Sequence, residues 1–351
     1  MHLEEILRQA IAEEASDVFI VAGLPVSFRK HGVISQLNDE HLLPSDTDVL
    51  LKEIYEQADG RNIGKLLQNG DDDFSCAIPG LSRFRISAYK QRGALSAVIR
   101  IITFGLPDKN DLGIPDYVIH LADGGKGMIL VTGPAGSGKS TTLACMLDQI
   151  NQTQQKHIIT LEDPLEYLHR HNQSIVSQRE INVDTESYVT ALRAALRQSP
   201  DVILLGEMRD YETINVAMTA AETGHLLLST LHTIGAANTI DRIIDVFPAN
   251  QQRQIAVQLS MVLNAVVSQQ LVPTVDGKVV PAFEIMAVTP AIRNMIRENK
   301  VHQIDGLIYS SMKEDMISMD ASLMNLCKAG RISRDTALKY ASNPDMLGKK
   351  I

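Results

Sequence analysis

The run Gly133-Pro134-Ala135-Gly136-Ser137-Gly138-Lys139-Ser140 follows four apolar residues, 128–131, and precedes a helix-like run, 141–150. Strand, glycine loop, Lys, hydroxyl and helix in this order satisfy every fixed position of the P-loop pattern G-x-x-x-x-G-K-[ST]. Glycines let backbone N–H groups wrap a phosphate without Cβ clashes, and the helix N-terminus adds partial positive charge at the same point. Lys139 is placed to reach the β/γ-phosphates, the Ser140 hydroxyl to hold Mg²⁺, and Thr141 completes the cradle. The motif implies ATP or a similar triphosphate, with Mg²⁺. It also requires a sheet whose strand delivers the loop, and so an α/β domain.

The surrounding chain agrees. Short apolar runs at 128–131, 157–161, 202–205 and 226–230 alternate with helical segments. They are nearly continuous in Ile, Leu and Val, as parallel strands covered on both faces should be. Helices are expected over 113–125, 187–199, 249–270, 290–300 and 318–341, with a hairpin around Asp276-Gly277. Upstream, residues 2–14 have helical spacing and 44–67 read as one helix. Residues 69–73 read as a turn, and alternating strands follow near 73–77, 83–89 and 95–102. Residues 1–103 therefore form a small α+β domain, 104–111 a polar linker with Gly and Pro, and 112–351 the α/β domain.

Composition narrows the class. An apolar fraction of 44% and a charged fraction of 21% are those of a globular chain. No apolar run approaches the ~20 residues that span a bilayer, and the acidic start lacks a signal-peptide core, so a cytoplasmic location is expected. Cys76, Cys145 and Cys327 are scattered, without a C-x-x-C pair. The net charge of −9 argues against nucleic acid as the main partner.

Further candidates surround the P-loop. Residues 202–205 end in Gly206-Glu207, the Walker B arrangement with Glu207 in place of the usual Asp, suited to Mg²⁺ directly or through water. Strand 157–161 ends in Glu162-Asp163-Pro164-Leu165-Glu166. Its three carboxylates could orient water, form a second shell around Mg²⁺ or favour a helix start, and the residues alone do not choose. His225 and His232 flank one strand, roughly 23 Å apart at ~3.3 Å per residue, too far to share a metal. Either could sense phosphate. Arg193 and Arg197 share a helical face, and Arg85 and Arg100 lie on strands of the first domain. Spacing alone reads all four as ordinary surface charges.

Taken together, these motifs resemble the secretion ATPase superfamily of type II and type IV systems, most closely its type IV pilus retraction ATPases. Residues 160–167 resemble the family's Asp box, 206–213 its Walker B, and 220–225 with 229–233 its His box. Ala291-Ile292-Arg293-Asn294-Met295-Ile296-Arg297-Glu298 resembles the retraction signature AIRNLIRE, with Met295 for Leu. The first-domain motif Ser-Asp-Leu-His is here Ser16-Asp17-Val18-Phe19, so no histidine role is carried over. The resemblance runs from about residue 3 to 340. It implies a PAS-like first domain and a RecA-like second domain in a homohexameric ATPase ring.

On this resemblance, Glu166 becomes the water-activating acid and Glu207 supports the metal. His232, and less directly His225, belong near the γ-phosphate. Arg85 and Arg100 reach nucleotide across a subunit or domain interface, and Arg193 and Arg197 are a required pair. The implied motor sits at the inner face of the cytoplasmic membrane. It acts on an inner-membrane platform protein, and indirectly on pilin, to power twitching motility. Alternatives are an accessory retraction motor, an extension or secretion ATPase, a nucleotide-dependent scaffold and a nucleic-acid translocase.

Overall fold

The computed structural model describes residues 2–30, 32–58, 60–102, 105–108, 111–311 and 315–351. The chain divides into two units, Met1–Gly105 and Leu106–Ile351. Of the expected linker 104–111, positions 104, 109 and 110 lie outside the described residues.

The first unit runs α1 (Leu3–Ala12), β1 (Asp17–Ile20), β2 (Ser27–Lys30), β3 (Val33–Gln36), α2 (Pro44–Gln57), α3 (Gly64–Asn69), β4 (Asp71–Ile78), β5 (Ser82–Gln91) and β6 (Ala94–Ile102). Its antiparallel sheet has the order β3-β2-β1-β6-β5-β4. Alternation sorts the faces: Phe84, Ile86 and Ala88 of β5 are buried, and Arg85 and Ser87 are exposed. The buried face joins Val18, Ile20 and Ile99 to Leu3, Ile6 and Leu7 of α1 and to Leu51 and Ile54 of α2. Each such side chain contributes roughly 1.5–3 kcal/mol by leaving water.

Two expectations change here. The helix read over 44–67 is two helices, because the chain turns at Gly60 (φ +70°) and the Asn62 side chain accepts the Gly64 N–H. The acidic run read as a turn is the start of β4. Gly70 alone makes the reversal (φ +88°), and Asp72 is buried against Arg61, Lys65 and Tyr55.

The second unit begins with α4 (Asp116–His120), β7 (Gly127–Thr132), α5 (Lys139–Thr153), β8 (His157–Glu162), β9 (Ile175–Glu180), α6 (Tyr188–Ala195), β10 (Val202–Leu205), α7 (Tyr211–Glu222) and β11 (Leu226–Leu231). It continues with α8 (Ala236–Asp245), α9 (Ala249–Val262), β12 (Leu263–Pro273), β13 (Val279–Ala287), α10 (Pro290–Arg297) and α11 (Ile304–Ser310). Last come β14 (Met316–Ile317), α12 (Met319–Lys328), α13 (Arg334–Tyr340) and α14 (Pro344–Gly348). The eight strands lie in the order β14-β13-β12-β7-β11-β10-β8-β9. From β12 to β9 they are parallel, and β13 and β14 add antiparallel strands.

Both faces of this sheet are covered. Met128 and Leu130 face α6 to α11, and Ile129 and Val131 face α4 and α5. This two-sided burial makes the parallel strands uniformly apolar. The helix expected over 249–270 stops at Val262, and the chain continues as β12, whose residues Leu263 to Ser268 pair with β7, whose edge would otherwise be open. The helix read over 113–125 shrinks to α4 and a short 3₁₀ turn, and 187–199 shrinks to α6. The stretch 318–341 breaks at Gly330 (φ +68°) into α12 and α13.

Candidate active site

A cavity of about 550 Å³ opens at the carboxyl ends of β7, β11, β10 and β8. That is the position at which parallel α/β sheets bind ligands, and the size lies within the usual range for ligand sites. Its described lining comes wholly from the second unit.

The glycine loop forms one wall. Gly133, Gly136 and Gly138 all have positive φ, at +141°, +74° and +85°. At Gly133 a Cβ would stand 2.1 Å from the Gln269 carbonyl oxygen and 2.8 Å from Ser137 Oγ. The loop therefore lies directly on β12. Gln269 pins the helix end as well, its Oε1 accepting the Thr142 hydroxyl at 2.7 Å. Lys139 Nζ donates to the Gly133 and Pro134 carbonyls at 3.0 and 2.8 Å. Burial pushes its pKa down, opposed by the charges of Glu166 and Glu207.

The carboxylates form the opposite wall. Glu162, Asp163, Glu166 and Glu207 all line the cavity. Glu207 Oε2 meets Arg209 Nε at 2.7 Å and His232 Nε2 at 3.4 Å. The backbone behind them is stitched by Thr230 Oγ1 donating to the Gly206 carbonyl at 2.7 Å and Met208 N–H donating to the Thr230 carbonyl at 3.2 Å. Gly206 has no side chain where the Tyr188 hydroxyl passes, 2.9 Å from an imagined Cβ. Burial raises the Glu162 carboxyl to about 7.

The lining fits a triphosphate with Mg²⁺. Ser137 Oγ is buried with no hydrogen-bond partner among the described residues, in a glycine loop of the kind that cradles phosphate. Ser140 and Glu207, the residues suited to a hard cation, share the cavity with Lys139.

The structure separates the two histidines. His232 lines the cavity, whereas His225 precedes β11 at its other end, with Nδ1 2.9 Å from the Ala220 carbonyl. The expectation that His225 lies near the γ-phosphate is thereby corrected for the site within one chain: six strand residues separate it from His232. Arg193 and Arg197 are exposed and do not line the cavity. Arg193 pairs with Glu212 of α7 at 2.8 Å, and Arg197 Nη1 donates to the Arg193 carbonyl. Arg85 and Arg100 are cross-strand neighbours on the exposed face of the first unit's sheet, where Arg100 meets the buried Asp17 at 3.1 Å.

Sequence reasoning assigned no role to Arg209, Tyr188 or Gln269. Arg209 stands two residues from Glu207, and that spacing was the available signal. Tyr188 and Gln269 reach the site only through tertiary packing. The signature 291–298 lies on α10, away from the cavity lining. Ile292 and Ile296 are buried, and Arg293 Nη1 donates to the Ser260 and Met261 carbonyls at 2.7 and 3.0 Å, closing the C-terminal end of α9.

The family model for the type II/IV secretion system proteins matches residues 1–308. The chain belongs to that family. Among its relatives, the type IV pilus retraction ATPase PilT of Pseudomonas aeruginosa is 43% identical over 345 residues, 98% of this chain and 99% of PilT. A twitching motility protein of Neisseria gonorrhoeae is 41% identical, covering 97% and 91%. The type IV pilus ATPase PilU of Pseudomonas aeruginosa is 38% identical, covering 99% and 90%. A crystal structure of the pilus retraction motor PilT with bound ADP superposes with a TM-score of 0.90 at 45% identity, over 99% of each chain. The fold is thus that of a secretion-family ATPase, a RecA-like domain preceded by a small α+β PAS-like domain. Among the described residues no helix is long and apolar enough to cross a membrane.

Proposed function

We propose that the chain is an ATP-hydrolysing motor of type IV pilus retraction, working as a homohexameric ring. The single observation that carries the reading is the convergence on one cavity of the P-loop, Glu166, Glu207 and His232, in a chain similar along nearly its whole length to PilT. When bound, Mg²⁺ and the triphosphate supply the polarised phosphoryl group.

The chain's own residues do the rest. The loop N–H groups and Lys139 bind and orient the phosphates, and Ser140 with Glu207 holds the cation. Glu166 accepts a proton from water, and His232, seated on Glu207, senses the terminal phosphate. Arg209 holds Glu207 in place by the 2.7 Å ion pair. Arg85 and Arg100 of a neighbouring subunit complete the charge around the site, and Arg193 and Arg197 are a further pair required for activity. The ring acts on an inner-membrane platform protein at the pilus base, and so on pilin.

The test is ATPase rate against protein concentration for the wild type and Arg100→Ala, with mass by light scattering. Wild-type activity should rise with assembly into a six-subunit species, and Arg100→Ala should assemble but hydrolyse far more slowly. A monomer active at full rate, indifferent to the arginine, would reject the ring mechanism.

A further inference from the structure

Helix α8 follows the His232 turn, and its N-terminus is capped from outside itself. Its N-cap residue is Gly235 (φ +90°), which has no side chain to offer. Two other strands supply the acceptors. Gly235 N–H donates to Ser268 Oγ of β12 at 3.0 Å, and Ala236 N–H donates to Glu284 Oε1 of β13 at 2.8 Å. Ser268 and Glu284 are direct cross-strand partners, and both are buried.

A carboxylate at a helix N-terminus is favoured by the aligned peptide dipoles. This one is held against a cost. Burial raises the Glu284 pKa, and the charges of Asp305 and Asp320 add to the rise. The Ala236 and Met319 backbone N–H groups oppose it. Met319 is the first residue of α12, so one buried carboxylate ties the start of α8 to the start of the C-terminal helices. The turn between His232 and α8 is only three residues long, with Thr233 Oγ1 and Thr239 Oγ1 2.7 Å apart and Thr239 Oγ1 donating to the Gly235 carbonyl at 2.8 Å. A shift at Gly235 therefore reaches His232 with little slack.

We propose that Glu284 is a positioning residue for hydrolysis: it fixes the start of α8, and through the turn 232–235 it holds the His232 ring against Glu207, linking the site to helix α12. This inference rests on the reading of His232 as a phosphate-facing residue.

The test is a double-mutant cycle on the assembled full-length chain, with Glu284→Gln and His232→Ala singly and together. Three quantities are read: kcat, affinity for a fluorescent ADP analogue, and hydrogen–deuterium exchange of 233–240. Glu284→Gln keeps the volume and one acceptor but replaces the other oxygen with a donor. It should lower kcat about ten-fold, leave analogue affinity within about two-fold and speed exchange of 233–240. In the His232→Ala background it should lower kcat by less than about two-fold. An equal fold-loss in both backgrounds, or unchanged kcat and exchange in the single variant, overturns the proposal while leaving the role of His232 intact. An unchanged kcat in His232→Ala alone overturns both. If Glu284→Gln does not fold, Ser268→Ala decides by the same cycle, because it loosens Gly235 without touching a buried charge.

Discussion

Gly133→Ala isolates the packing of the phosphate loop on β12. The new Cβ would stand 2.1 Å from the Gln269 carbonyl oxygen, where ordinary contact begins near 3.4 Å, so something must move by more than 1 Å. Strand β12 cannot recoil easily. Ser268 pairs with Thr132 on one side and Gln269 with Phe283 on the other. The loop must move instead, and alanine at φ +141° adds backbone strain. Strain of roughly 1–3 kcal/mol and crowding of about the same size sum to several kcal/mol. If about 2–4 kcal/mol of this falls on the binding-competent loop, nucleotide affinity drops roughly 30- to 1,000-fold. Gly136→Ala is the control. Its φ is +74°, but nothing lies within 4 Å of its Cβ, so only the strain applies. That is about 1 kcal/mol, or roughly a five-fold loss. The assay is titration with a fluorescent ATP analogue, with thermal unfolding on the same samples. If Gly133→Ala binds and unfolds like Gly136→Ala, contact with β12 does not shape the loop and the reasoning is refuted.

Three further outcomes follow from the same geometry. Burial raises Glu162 to about 7, so the folded chain binds its proton more tightly than the unfolded chain. The cost of the ionised form is full above that value and fades as pH falls toward 4.5. Glu162→Gln should therefore stabilise by roughly 1–3 kcal/mol near pH 8 and by much less near pH 5, and equal gains in denaturant unfolding at both would contradict this. His225→Ala should keep ATPase activity within about two-fold while losing about 1 kcal/mol of stability with the Ala220 contact; a kcat loss like that of His232→Ala would return His225 to the site. Tyr167→Phe removes the 2.8 Å contact with Thr141 and should lower kcat about five-fold, for ~1 kcal/mol, with KM for ATP unchanged. A rise in KM at constant kcat would place Tyr167 in binding instead.

The parallel strands were legible because burial on both faces leaves a signature local in sequence. Residues 202–205 and 226–230 are almost pure Leu, Ile, Val and Ser/Thr, and each became a strand within a residue of its expected bounds. Strand β9 was not legible. Ile175-Val176-Ser177-Gln178-Arg179-Glu180 lies at the sheet edge, with four of its six residues polar, and gains its strand character from pairing with β8. Strand β12 was hidden for a different reason: its apolar spacing continues that of α9, and only the open edge of β7 selects the extended form. The P-loop, Glu207 and His232 could be named because each follows a readable strand. Arg193, Arg197, Arg85 and Arg100 carry no such marker, and their roles rest on resemblance.

Strand order explains why the acids and His232 converge. Along the sheet's carboxyl edge the elements stand in the order P-loop, His232, Glu207, Glu162, after β7, β11, β10 and β8. The chain passes from β7 directly to β8 and fills the two places between them later. The first acidic segment in sequence is therefore the farthest in space, roughly 14 Å from β7 at ~4.8 Å per strand. Its loop must be carried back. Tyr167 ties it to Thr141 at the start of α5, and β9 supports it from behind. Gln178 Nε2 donates to the Tyr167 carbonyl at 2.9 Å, His169 N–H donates to Gln178 Oε1 at 2.8 Å, and Leu165 N–H donates to Glu180 Oε2 at 3.3 Å. Glu162 lines the cavity from the end of β8 itself. Glu166, on the returned loop, acts electrostatically on Lys139. This placement fits the role proposed for Glu166. It also gives the unread strand β9 a part in the site without a residue in the cavity.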